Sequence, residues 1–144
     1  DPAIADDDGP DLAVFENSLN NNFLELAFVE VSSNGEDFAR FPNSYQGTEP
    51  VATYAGHEAS WISGLAGKYR IGHGTPFDLT NLVCDPGVTD GSVDITSITY
   101  VRIVDIIGDG ETKDTAGRPI YDPYPTVGSA GFDLDGVAAL HLAE

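Results

Sequence analysis

The sequence predicts an all-β fold, a jelly-roll-like β-sandwich with long irregular loops and one or two short helical turns. Three observations lead there. Sixteen glycines and nine prolines recur through the 144 residues, which suits many strands joined by tight turns. Two segments, 24–32 and 98–107, carry apolar runs at the two-residue period of a strand. A hydrophobic fraction of 41%, with seven Phe, six Tyr and one Trp, is enough to fill a sandwich. The length is that of one ordinary domain, residues 1–144, able to bury a core without staples.

Taken in order, residues 1–10 are acidic and turn-like, with Asp6, Asp7, Asp8, Gly9 and Pro10 in succession. Leu12, Ala13, Val14 and Phe15 form a short strand that ends at Glu16 and Asn17, followed by a polar turn at 20–22. The segment 24–32 places Leu24, Leu26 and Phe28 on one face and Ala27, Val29 and Val31 on the other. Apolar residues on both faces mark a central strand covered on each side. Ser33, Asn34 and Gly35 turn the chain, and 38–41 returns as a hairpin partner, because Asn-Gly tolerates positive φ at both turn positions.

Residues 42–83 are the least regular. A helical turn is expected over 58–65, around Trp61, Ile62 and Leu65. Another is expected to start at Thr75-Pro76, with Thr as N-cap and Pro at the first helical position. Gly72, His73 and Gly74 form a loop between them, and 84–94 reads as a loop. The segment 98–107 is the second clear strand, Val101 and Ile103 alternating with Tyr100, Arg102 and Val104. A turn-rich loop over 108–131 holds Asp109, Glu111, Asp114 and Asp122, and 132–142 is the last strand. There is no internal repeat.

Six Lys and Arg face 24 Asp and Glu, a formal charge of −18. Such a surface repels phosphate backbones, which excludes nucleic acid and anionic lipid as partners and favours divalent cations, basic proteins or neutral glycans. Cys84 is the single cysteine, so no intrachain disulfide forms, and it reads as an inert, buried structural thiol. The absence of Met and the opening on Asp1 point to a processed chain whose signal sequence is gone, hence to an extracellular or cell-surface location. No apolar stretch has the length of a membrane span, so the chain itself inserts in no membrane.

The segments DLAVFEN (11–17), LELAFVEVSSNGEDFARFP (24–42), LAGKYRIGHGTPFDL (65–79), VRIVDIIGDG (101–110) and DPYPTVGSAGFDLDGVAAL (122–140) resemble a family of bacterial cell-surface proteins. Those proteins are often exported and often carry a sorting segment of the PEP-CTERM type. The resemblance covers most of the chain in order. It implies that further strands precede DLAVFEN in the family, so this chain is expected to lack N-terminal strands or to receive them from another chain. The hairpin VEVSSNGEDF, with VRIVD and FDLDGVAAL, also resembles galactose-binding-like sandwiches such as discoidin modules.

Calcium needs six to eight oxygens from carboxylates, amides and main-chain carbonyls. One candidate is the turn-rich cluster of Asp6, Asp7, Asp8 and Asp11. The other is Asp133 and Asp135, two apart on a strand and so on one face, with Glu16, Asn17 or Asp105 as partners. Asp105, Asp133 and Asp135 have a rival role as caps of loop amides or as a partner for Arg102. Trp61, Tyr54, Tyr69, His73, Tyr121 and Tyr124 are candidate aromatic platforms and polar groups for a glycan. Enzymatic signals are absent: three scattered histidines, no nucleophile-elbow serine, and no zinc-binding pattern. The sequence therefore points to a non-catalytic, calcium-stabilised binding module recognising glycan or another surface protein. The alternative is a structural subunit of an extracellular assembly, completed by strand addition from a neighbour.

Overall fold

The computed structural model describes residues 2–128 and 131–143. Asp1, in the acidic opening, and Ser129 and Ala130, in the expected 108–131 loop, lie outside them. The fold is all-β with short helical turns, and its strands pair antiparallel. In chain order the strands are β1 (Leu12–Glu16), β2 (Ala27–Ser32), β3 (Ala39–Arg40), β4 (Ser44–Tyr45) and β5 (Ile62–Ser63). There follow β6 (Thr75–Phe77), β7 (Tyr100–Asp105), β8 (Asp109–Lys113), β9 (Pro119–Tyr121) and β10 (Leu134–Ala139). One sheet has the order β10-β1-β6 and a second the order β3-β2-β7, with two-stranded ribbons β4-β5 and β8-β9 beside them. The chain crosses repeatedly between the two larger sheets, as a jelly-roll-like sandwich does.

β2 is buried at every position. Its Ala27, Val29 and Val31 join Leu12 and Val14 of β1 and Phe77 of β6 in one apolar cluster between the sheets. Its Phe28, with Leu24 and Leu26 just before it, enters a second cluster with Tyr45, Ile62, Leu65, Ile106 and Ile120. The two-faced pattern expected for this strand is thus what the structure contains. Glu30 lies on the Phe28 face, directly between its cross-strand partners Arg40 of β3 and Arg102 of β7. It bonds to both guanidinium groups, which lie over the Phe28 and Phe38 rings respectively. Arg102 is therefore served by Glu30, not by Asp105, Asp133 or Asp135.

Several local expectations are corrected. Thr75-Pro76 starts no helix, because Thr75, Pro76 and Phe77 pair with β1; the helical turn comes later, over Leu79–Leu82, capped by the Asp78 carboxylate on the Thr80 N–H. The helical turn near Trp61 is confined to Ala59–Trp61 and runs straight into β5. Residues 84–94 hold one turn of α-helix, Pro86–Thr89, with Asp85 as N-cap. The expected loop 108–131 contains the β8-β9 ribbon, whose turn is organised by Asp114: its carboxylate accepts from the Ala116 and Arg118 amides and the Arg118 guanidinium. Cys84 is exposed, not buried.

Two glycines show how tightly the second cluster is closed. Gly67 has φ +81°, and a Cβ there would lie 1.8 Å from the Glu25 carbonyl oxygen, whereas Gly117 at φ +80° has open space. Gly117→Ala therefore costs only the left-handed backbone term, about 1 kcal/mol. Gly67→Ala adds a backbone clash and costs about 3 kcal/mol or more. Urea unfolding of the two variants checks this; equal losses would contradict the packing at Gly67.

Candidate functional site

The two sheets leave one side of the sandwich open. β10 and β7 are edge strands of their sheets among the described residues. Ile4 bridges both Ile98, just before β7, and Leu142, just after β10. At the other end the Phe132 amide donates to Asp105 Oδ1 at 3.1 Å, joining the end of β7 to the start of β10. The free edges therefore lie alongside each other, with Ile4 and Phe132 closing the two ends of the slot between them.

Register shows which side chains face that slot. Val137 and Ala139 are paired with Val14 and Leu12, and Leu134 with Glu16, so all three sit on the core face of their sheet. Yet Leu134 is 50% exposed and Val137 38%. Across the slot, Val101 and Ile103 are paired with Val31 and Val29 of the core and are only half-buried. Core-facing side chains on both edges thus remain partly in water.

Beside the Phe132 end, a cleft of about 470 Å³ is lined by Asn17, Leu19, Glu25, Tyr54, Val127 and Asp133 among others. Glu16 is only 1% exposed. Its Oε2 accepts from the Ser18 amide at 2.7 Å, while Oε1 is buried with no hydrogen-bond partner. Burial pushes the Glu16 carboxyl up to about 7; the Ser18 N–H opposes this, and the Glu25 and Asp133 charges add to it. Glu25 is also raised, first by burial and then by Asp133 and Asp105, against the pull of the Gly131 N–H that it accepts at 2.8 Å. Asn17 Nδ2 donates to Asp133 Oδ2 at 3.3 Å.

Of the sequence candidates for metal, Asn17 and Asp133 line this cleft, whereas Glu16 is buried and is not part of its lining. Asp105 caps the Phe132 amide nearby. Asp135 goes elsewhere. The register shift between Phe15 and Glu16 makes it the extra residue on β10, and it lines a separate cleft with Phe15, Ile71 and Val137. Asp133 and Asp135 thus do not act on one face. Glu25, which sequence reasoning missed, sits among apolar residues of LELAF where nothing local marks it.

The other metal candidate also regroups. Asp6 and Asp11 meet Asp78, not Asp8, with one oxygen from each within 4.8 Å of the others. These oxygens are already in use. Asp11, fully buried, accepts from the Asp7 and Leu79 amides at 2.9 and 2.7 Å and pairs with His141 Nδ1 at 2.9 Å. Asp6 accepts from the Thr80 hydroxyl, and Asp78 caps Thr80 N–H. Asp8 is exposed. The cluster pins the N-terminal segment, the turn after β6 and the C-terminal segment together.

The glycan candidates are distributed over different elements. Trp61 closes the helical turn before β5, Tyr69 and His73 lie in the 68–74 loop, Tyr121 ends β9 against the second cluster, and Tyr124 bridges Ala52. Of the six candidates only Tyr54, 82% exposed, lines the 470 Å³ cleft, where Phe23 is the other aromatic residue.

A second buried chain also escaped the sequence. Tyr45 Oη lies 3.1 Å from His57 Nδ1, and His57 Nε2 lies 2.9 Å from Asp122, which accepts the Leu26 amide on both oxygens. Burial lowers His57 to about 4 and holds Asp122 well above the carboxylate range. All three are 1–3% exposed, so this chain joins the second cluster internally and offers no access to substrate. No protein-family model, curated protein or solved structure matches the chain. Among the described residues, no helix is long and apolar enough to cross a membrane.

His141 provides a pH test of the Asp11 junction. Its hydrogen bond to Asp11, with the Asp7, Asp11 and Asp8 charges, raises its pKa above 6.5. The stabilisation is fully present below 6.5 and is lost as pH rises through the folded-state value. The stability difference between wild type and His141→Gln should shrink between pH 6 and pH 9 in urea titrations. A difference independent of pH would show that the pair does not couple to folding.

Proposed function

We propose that this chain is a non-catalytic, extracellular protein-binding module that accepts an extended segment of a partner into the slot between β7 and β10. The observation that carries this reading is the partial exposure of core-face side chains on both free edges: Leu134 and Val137 on one, Val101 and Ile103 on the other. Edge strands offer unpaired N–H and C=O groups, and an added strand satisfies them while covering the apolar face. β7 is six residues long, so the slot suits about six residues of partner, roughly 20 Å at strand rise.

Charge narrows the partner. With a net charge of −18, two copies of this chain repel each other, and a basic or neutral segment from a different protein is favoured. The partner segment would carry apolar residues at alternate positions, pointing inward between the sheets, and no proline along the pairing edge. Extracellular display is supported by the resemblance of DLAVFEN, LELAFVEVSSNGEDFARFP and the later segments to exported surface proteins. The glycan reading draws less support, because Trp61, Tyr69, His73, Tyr121 and Tyr124 lie on separate elements.

Selection from a library of displayed eight-residue peptides tests the proposal. Bound peptides should share apolar residues at i, i+2 and i+4 with flanking Lys or Arg. Val137→Lys, an inward charge on the edge, should weaken their binding at least tenfold, while Trp61→Ala leaves it unchanged. Enrichment of no alternating pattern, together with Trp61-dependent retention on a glycan array, would refute strand acceptance and favour the glycan reading.

A further inference from the structure

We infer that the cleft beside the Phe132 end of the slot is a subsite for one long basic side chain of the bound partner. The inference rests on the strand-accepting reading for the source of that side chain; the cleft's own lining selects its chemistry. The carrying observation is Glu25, a carboxyl group only 6% exposed that lines the cleft. Its Oε1 accepts from the Gly131 N–H at 2.8 Å, and among the described residues no donor meets Oε2. Asp133, on the exposed rim, uses Oδ2 to accept from Asn17 Nδ2 and has no donor for Oδ1 among the described residues. Two carboxylates thus bring spare acceptor capacity to one cleft, and no Lys or Arg lines it.

The rest of the lining is apolar, and it is left in water. Leu19 is 85% exposed and Tyr54 82%, the highest values among the large hydrophobic residues described. Val127 and Phe23 complete this wall. A lysine or arginine side chain has the matching two parts, an aliphatic stem and a cationic head. The stem covers Leu19 and Val127, while the head meets the carboxylates and the negative ring face of Tyr54. Burial holds the Glu25 carboxyl above its ordinary range, the Gly131 N–H opposes this, and the Asp133 and Asp105 charges add to it. A cation in the cleft offsets those two charges.

A metal ion is the other cation that such charges attract. It needs several ligand atoms within one coordination sphere. Among the described residues, the three-acid group that meets this condition is Asp6, Asp11 and Asp78, away from the cleft. A guanidinium or ammonium, with several N–H donors, serves acceptors that are farther apart. Position also favours a side chain of the partner. Asp133 lies between Phe132, whose amide joins the end of β7 to β10, and Leu134, the first residue of β10. A segment paired along the slot therefore reaches the cleft with the residue that follows its apolar run.

Amide chemical-shift titration with Nα-acetyl-arginine amide tests the cleft without requiring the slot. Shifts should saturate at Leu19, Tyr54 and Val127, and the neutral isostere Nα-acetyl-citrulline amide should bind about tenfold more weakly or worse. Glu25→Gln and Tyr54→Ala should each weaken the arginine probe. Asp133→Asn, at an exposed position, reads the same site should Glu25→Gln fail to fold. Asp135→Asn removes an equal charge outside the cleft and should leave the probe unaffected. Equal binding of the citrulline probe would overturn the inference, as would unsaturable shifts spread over the acidic surface or binding indifferent to both Glu25→Gln and Asp133→Asn. Saturable arginine binding in a chain that selects no alternating peptide would overturn strand acceptance and with it the partner assignment, leaving the cation site. Selected peptides that bind equally well with their basic flank replaced by citrulline would overturn the subsite and leave the slot.

Discussion

A strand that is apolar on both faces can be buried only if something packs on each side of it, and β2 imposes that condition on the whole chain. Val29 and Val31 require the β10-β1-β6 sheet opposite them, and Phe28 with Leu26 requires the irregular 42–65 region and the β8-β9 ribbon on the other side. The long connections follow from this. The chain must leave β2, cover its second face, and return to supply β6 and β10 to the first. Glu30 completes the arrangement by fixing β3 and β7 to β2 through two arginines, which sets the register of the sheet where an all-apolar strand would permit slippage.

Buried acids divide into those the fold satisfies and one it does not. Asp11 gathers three separated segments through amide and imidazole donors. Asp114 accepts from Tyr45, Ala116 and Arg118 and ties the β8-β9 turn to β4. Asp122 takes the Leu26 amide and His57. Each of these carboxylates replaces water with donors from the chain, and each acts structurally. Glu16 stands apart, because its Oε1 is buried with no hydrogen-bond partner among the described residues.

What could be read from the sequence depended on how local the signal was. β2 and β7 were legible because each packs four apolar residues, alternating or continuous, into six positions, which leaves few alternatives. The β8-β9 ribbon was not, since DGETK has no apolar period and is held by Asp114 and the tight approach of Gly110 to Tyr121. Thr75-Pro76 has the local chemistry of a helix start, but pairing with β1 overrides it and moves the turn to Asp78. At and beside the cleft, FEN and FDLD pointed to Glu16, Asn17 and Asp133 because they punctuate strands. Glu25 lies within an apolar run and is brought in only by the folded chain. His57 and Asp122 are 65 residues apart, beyond the reach of any local pattern.

The open side between β7 and β10 is the feature on which the proposed strand acceptance rests. Two sheets that share one core normally cover each other to their edges, yet here the core-face side chains Leu134, Val137, Val101 and Ile103 remain partly in water. Hydrogen exchange read amide by amide along β7 and β10 is the most direct measurement. In the isolated chain, amides pairing with β2 and β1 should be protected, while those facing the slot exchange rapidly. An alternating apolar, basic-flanked peptide should slow the slot-facing amides of both strands together. Slot-facing amides already protected in the isolated chain, or unaffected by any such peptide, would contradict strand acceptance.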